Sequence, residues 1–262
     1  VSSRRAGAAS RALVSLLALA GTACASSETL RPPAPPTLAE WSHARARLAE
    51  LRASALGEAG PRTLRLRVGL RSPLGGAWME ARGAAAVDPP DALRMILLGP
   101  GGTTAVDLWM RGAVHRVAVP AANLVHRSDR PSEVTPRGLP FDFLRGWLLR
   151  PLAGTLLWYG QTADAERFVL RDGDAIVALV AHEGGAVSLR RETWTGCAEG
   201  AKKSCERSEL ETVEATALGC AKARYEQHST GMAVEVTCEG VEPRPPNGRA
   251  FDDPDPPAEG RP

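Results

Sequence analysis

The stretch TLRLRVGLR, residues 63–71, alternates at every second position, with Leu64, Leu66, Val68 and Leu70 on one side and Arg65, Arg67 and Arg71 on the other. Period-two alternation of this kind describes a strand with one face in water and one face buried. Such a strand cannot stand alone, because its apolar face needs a sheet and a covering layer. Further short strands are read at 77–87, 92–98, 103–111, 113–119 and 124–127, and again at 155–159, 167–171, 175–180, 187–195, 210–216, 221–226 and 232–238, the alternation continuing in Leu93, Met95 and Leu97 and in Val106, Leu108 and Met110. Gly and Pro punctuate these runs, Pro73-Leu74-Gly75-Gly76 and Asp172-Gly173 reading as hairpin turns. So many consecutive short strands predict an α+β chain that is mostly β, with a curved antiparallel sheet forming an incomplete barrel.

Two segments carry helical spacing instead. From Thr37, the residues Leu38, Trp41, Leu48 and Leu51 recur on one side of a helix that ends around 57–61. Pro140 opens a second helix running to Leu149, with Phe143, Leu144, Trp147 and Leu148 on its apolar side. The last 22 residues, 241–262, hold seven prolines and five acids, which predicts a disordered tail. The expected organisation is therefore a leader at 1–23, a linker at 24–37, one domain over 38–240 and the tail.

The leader is read from Arg4, Arg5 and Arg11 ahead of an apolar run at 12–20 that is too short to span a bilayer, which needs about 20 residues. Gly21-Thr22-Ala23 then supplies small residues before Cys24. Acylation of Cys24 as the first mature residue is favoured, making it a lipid anchor, with palmitate among the expected modifications. Cleavage after Ala25 at Ala23-Cys24-Ala25 is the alternative and would discard the cysteine. Several acyl chains would hold the chain on a membrane, each buried methylene contributing about 0.8 kcal/mol. The run Arg31-Pro32-Pro33-Ala34-Pro35-Pro36 would act as a stiff spacer.

Cys197, Cys205, Cys220 and Cys238 are an even number in an exported chain and imply two disulfides. Three connectivities are open, and sequential pairing, Cys197 with Cys205 and Cys220 with Cys238, is favoured because each loop is short. No C-x-x-C knuckle or H-x-x-x-H accompanies them, so no metal is expected. Lys and Arg number 32 against 30 acids, which gives no broad basic face for nucleic acid. The scattered histidines and the absence of H-E-x-x-H, G-x-S-x-G or a phosphate loop argue against an enzyme, and no cofactor is implied.

Two local stretches resemble the LolA/LolB family of bacterial lipoprotein carriers and receptors, the receptor LolB in particular. One is MILLGPGGTTAVDL (95–108), similar to that family's apolar strand, Pro-Leu-Gly turn and following strand. The other is GLPFDFLRGWLLRPLAG (138–154), similar to its Pro-x-x-x-Leu-x-x-Trp-Leu helix and Gly/Pro turn. The resemblance covers roughly 38–195. It implies a half-barrel covered by helices, with an apolar cavity for lipid or lipoprotein acyl chains lined by Leu64, Leu66, Val68, Leu93, Met95, Leu97, Val106 and Leu108, and by Phe143 and Trp147 in the covering helix. It also implies a membrane-facing loop, where Gly101 stands in place of the family's exposed leucine and Leu74 is the candidate replacement. The function so implied is a non-catalytic, lipid-anchored protein of the outer membrane, facing the periplasm and serving lipoprotein transport, with a periplasmic carrier or envelope complex as a possible partner. The alternative is a scaffold lipoprotein with a filled barrel, docked on an envelope complex.

Overall fold

A computed structural model of the chain describes residues 35–56, 60–72, 76–129, 140–194 and 203–255. Among the described residues thirteen strands form one antiparallel sheet. Helix α1 (Leu38–Leu56) precedes β1 (Arg62–Arg71), β2 (Trp78–Asp88), β3 (Ala92–Leu98), β4 (Thr104–Arg111), β5 (Val114–Val119) and β6 (Leu124–Ser128). Helix α2 (Phe141–Leu148) comes next, followed by β7 (Thr155–Gln161), β8 (Ala165–Asp172), β9 (Ala175–His182) and β10 (Ala186–Thr193), then β11 (Glu206–Glu214), β12 (Lys222–Gln227) and β13 (Met232–Val241). The order across the sheet is β6-β5-β4-β3-β2-β1-β13-β12-β11-β10-β9-β8-β7, so two meanders meet where β1 pairs with β13 and the sheet stays unclosed between β6 and β7.

The alternation seen in the sequence sets the sheet's two faces. Leu64, Leu66, Val68, Leu93, Met95, Leu97, Leu108 and Met110 lie on the concave face and join Val177, Leu179, Leu189 and Val236 of the second meander in one continuous core. Both helices roof that face. Helix α1 contributes Ala44, Leu48, Leu51 and Ala55, and α2 contributes Phe141, Phe143, Leu144, Trp147 and Leu148. A 3-10 turn at Ala215–Cys220 inserts the fully buried Leu218 beneath α1. Helix α2 bridges the two meanders, its Phe141 ring 4.0 Å from His115 on β5 and its Phe143 ring 5.5 Å from Tyr225 on β12. Strand β11 begins four residues earlier than its alternation predicts, and residues 215–216 belong to the 3-10 turn.

Helix α1 is fixed to the β7–β8 edge by polar contacts. The Arg47 Nε donates to Glu166 Oε2 at 2.9 Å, the Tyr159 hydroxyl donates to Glu166 Oε1 at 3.0 Å, and His43 Nε2 lies 3.3 Å from the same oxygen. Burial works to raise the Glu166 pKa, but Arg47, Tyr159 and His43 outweigh it and hold the carboxyl below the usual glutamate range. Burial and the carboxylate together push the Tyr159 hydroxyl up to about 12. Arg52 adds a second tie by donating to the carbonyls of Leu152 and Gly154. The Cys220–Cys238 disulfide, with Cα atoms 5.0 Å apart, staples the 3-10 turn to β13.

The proline-rich segment expected to be disordered from residue 241 instead packs on the convex face as far as Asp255. Phe251 is buried against Ala86 and Ala92, and the Trp109 indole donates to the Phe251 carbonyl at 3.0 Å. Register lines up Arg94, Trp109, Arg116 and Arg127 across β3 to β6. Arg127 stacks on Trp109 and grips both oxygens of Asp253, at 2.9 and 2.6 Å, while Arg116 pairs with Asp255 and Asp107. One aromatic anchor and matched charges order a segment that composition alone marks as unstructured.

Glu166→Ala is expected to lower stability at neutral pH by about 1–3 kcal/mol. Because folding depresses this carboxyl's pKa, its contribution is present above the ordinary glutamate value and disappears as pH falls through the folded one. Denaturant melts of the two proteins should therefore converge in acid. Phe251→Ala is expected to cost about 2–3 kcal/mol and to speed amide exchange over 242–255 while leaving β1 and β13 protected.

Candidate functional site

The concave face is not uniform. Three register rows cross the second meander. The deepest reads Phe168, Leu179, Leu189, Leu210, Ala223 and Val236. The next reads Leu170, Val177, Arg191, Ser208 and Tyr225, and the outermost reads Asp172, Ala175, Thr193 and Glu206. Polarity thus rises from a fully apolar row to a charged one toward the end carrying the β8–β9 hairpin.

At that end, α2 and the two outer rows enclose a pocket of about 280 Å³. Helix α2 supplies Asp142, Phe143, Arg145 and Gly146, Arg150 follows it, and the sheet supplies Asp172, Arg191, Glu206 and Tyr225. Gly146 leaves the opening free, since a Cβ there would meet only Arg191, at 3.9 Å. Arg191 is held by Asp172, with Nη1 2.5 Å from the carboxylate. Burial pushes the Asp142 carboxyl above the usual aspartate range, against the pull of Arg145 and Arg191 and with the push of Glu206 and Asp172. Tyr225 is 2% exposed and its hydroxyl has no hydrogen-bond partner. Burial, and next the negative charge of Glu206, raise its pKa, but the two side chains do not meet hydrogen-bond geometry.

Beneath α2 the pocket runs into a narrow apolar crevice, with which it shares Phe143, Gly146, Arg191 and Ser208. Trp147, Val177, Leu189 and Leu210 line it, and its present volume of about 10 Å³ is space for about one water. The buried Trp147 Nε1 has no hydrogen-bond partner. A polar mouth over an apolar slot is the layout an amphiphile requires: charged side chains orient its head and apolar rows take its tail.

The residues predicted as cavity lining divide between two places. Leu64, Leu66, Val68, Leu93, Met95, Leu97 and Leu108 are buried in the core, and Val106 packs against it at its edge. Phe143 and Trp147 border the crevice beneath α2. Gly101 sits at the tip of the β3–β4 turn with φ +76°, a left-handed conformation that would strain a leucine, and has nothing within 4 Å of where a Cβ would stand. Cys205 is disulfide-bonded; Cys197, Cys24 and Leu74 lie outside the described residues. Arg191, Ser208, Glu206 and Tyr225 carry no motif. Their only trace in the sequence is that apolar alternation stops within β10 and starts late in β11. Among the described residues no group of three His, Cys, Asp or Glu could hold a metal, and no helix is long and apolar enough to cross a membrane.

No protein-family model and no curated protein matches the sequence. Solved structures do match the fold. A LolA superfamily protein from Nitrosomonas europaea is 12% identical over 79% of this chain and 97% of its own, with a TM-score of 0.52. A DUF1329 family protein from Desulfovibrio piger is 12% identical over 79% and 96%, with a TM-score of 0.51. A putative outer membrane lipoprotein-sorting protein domain from Vibrio parahaemolyticus is 10% identical over 79% and 95%, with a TM-score of 0.47. The unclosed antiparallel sheet roofed by two helices is therefore the LolA/LolB-like fold.

Proposed function

We propose that this chain is a non-catalytic envelope lipoprotein that binds an acylated molecule, a lipid or a lipoprotein, in the seam between α2 and the second meander. The polar pocket that opens into an apolar crevice under α2 carries this reading. The acyl chain follows the crevice past Phe143 and Trp147, and α2 moves outward to admit it. The core residues of β1, β3 and β4 form the far wall, which a longer chain reaches only if the helices separate from the sheet. Cys24, acylated, holds the domain at the periplasmic face of the outer membrane, with the proline-rich spacer between. Lipoprotein transport within the envelope is the process this arrangement serves.

The packed centre favours a second reading, a lipid-anchored scaffold whose barrel is filled by its own side chains and which docks on an envelope complex. The two part on uptake. Delipidated protein should bind a fluorescent long-chain fatty acid saturably, and Gly146→Leu should weaken that binding at least tenfold. This substitution fills the seam while replacing glycine in a helix, so its melting temperature should hold or rise. Failure of the parent protein to take up the probe, with a protein partner co-purifying instead, establishes the scaffold. Fatty-acid incorporation that is lost in Cys24→Ser confirms the anchor, and equal labelling of the two rejects it.

A further inference from the structure

The mouth of the pocket has a chemistry of its own, and assigning it a ligand head group rests on the reading that the seam takes an acylated molecule. Asp142, Glu206 and Tyr225 converge there, and Glu206 makes no ion pair among the described residues. The Tyr225 hydroxyl is buried beside Glu206, with no hydrogen bond of good geometry. An unpaired buried hydroxyl is costly, and a ligand atom that completes its hydrogen bonding recovers the cost. At the same opening, Arg150 is exposed with no ion pair among the described residues, and Arg145 makes only a long contact of 3.5 Å to the Ala113 carbonyl. The mouth thus brings acceptor oxygens and guanidinium groups to one opening, with Glu206 and Arg150 in no ion pair among the described residues.

We propose that the mouth binds a zwitterionic phosphoester bearing a primary ammonium, the head group of an aminophospholipid. A primary ammonium has three donors and no acceptor, which matches the oxygens of Asp142, Glu206 and Tyr225. The phosphate sits on Arg145 and Arg150, where guanidinium geometry suits it. The mixed charge of the mouth selects against a purely anionic head, which would face Glu206, and against a quaternary ammonium, which cannot donate. The acidic oxygens set against Arg145 and Arg150 fix which end of the head group points into the pocket.

Calorimetric titration with soluble head groups tests this, since they carry no acyl chain. Glycerophosphoethanolamine should bind saturably, and glycerophosphocholine at least tenfold more weakly. Glu206→Gln and Arg150→Ala should each weaken glycerophosphoethanolamine about tenfold, the equivalent of about 1.4 kcal/mol. Tyr225→Phe should also weaken it without lowering the melting temperature, because the hydroxyl it removes makes no hydrogen bond. Inorganic phosphate binding as tightly as glycerophosphoethanolamine, or equal affinity for the ethanolamine and choline compounds, overturns the ammonium site. Fatty-acid uptake with no head-group preference overturns it while leaving the acyl reading intact. Head-group binding without fatty-acid uptake upholds the site and removes the acyl reading.

Discussion

The structure depends on burial of one face of a sheet whose two edges never meet. Every strand but β6 presents apolar side chains to the same side, and an unclosed sheet cannot cover that side by curling onto itself. Two helices and a 3-10 turn do so instead, and the residues that fix them explain why the covering is stable. Leu48, Leu51 and Leu218 supply apolar contact. The Glu166 cluster, the Arg52 ties and the Cys220–Cys238 link determine where that contact is made.

A roof held in this way is not equally tight everywhere. Helix α1 is tied to the β7–β8 edge and to the α2–β7 turn by charged groups. Helix α2 rests mainly on its apolar side, and beneath it the rows change from leucine and valine to arginine, serine and tyrosine. Apolar burial is nondirectional and permits sliding or lifting more readily than paired charges do. The seam under α2 is thus the least firmly tied part of the roof.

The strands are legible because alternation is uninterrupted at 63–71, continues in β3 and β4, and short runs between Gly and Pro signals mark the rest. All thirteen described strands overlap the segments so marked. Alternation breaks where polar side chains take inward positions. Alternation does not mark the start of β11, because Glu206 and Ser208 occupy inward positions with polar side chains and the pattern begins only at Leu210. The same substitution of polar for apolar residues builds the pocket, and one cause hid both. Composition hides the order of the C-terminal segment for another reason: its partners, Arg116, Trp109 and Arg127, become neighbours only through strand register, which composition does not carry.

The pairing of β1 with β13 places the first and last of the described strands side by side in the middle of the sheet. Each meander can assemble from near neighbours, but the seam that joins them closes a loop of nearly the whole domain, the slowest kind of contact to form. A chain emerging from its N-terminus would hold β1 with one side bare until β13 followed. Protection of that bare edge while the rest of the domain is made is a requirement written into the strand order itself.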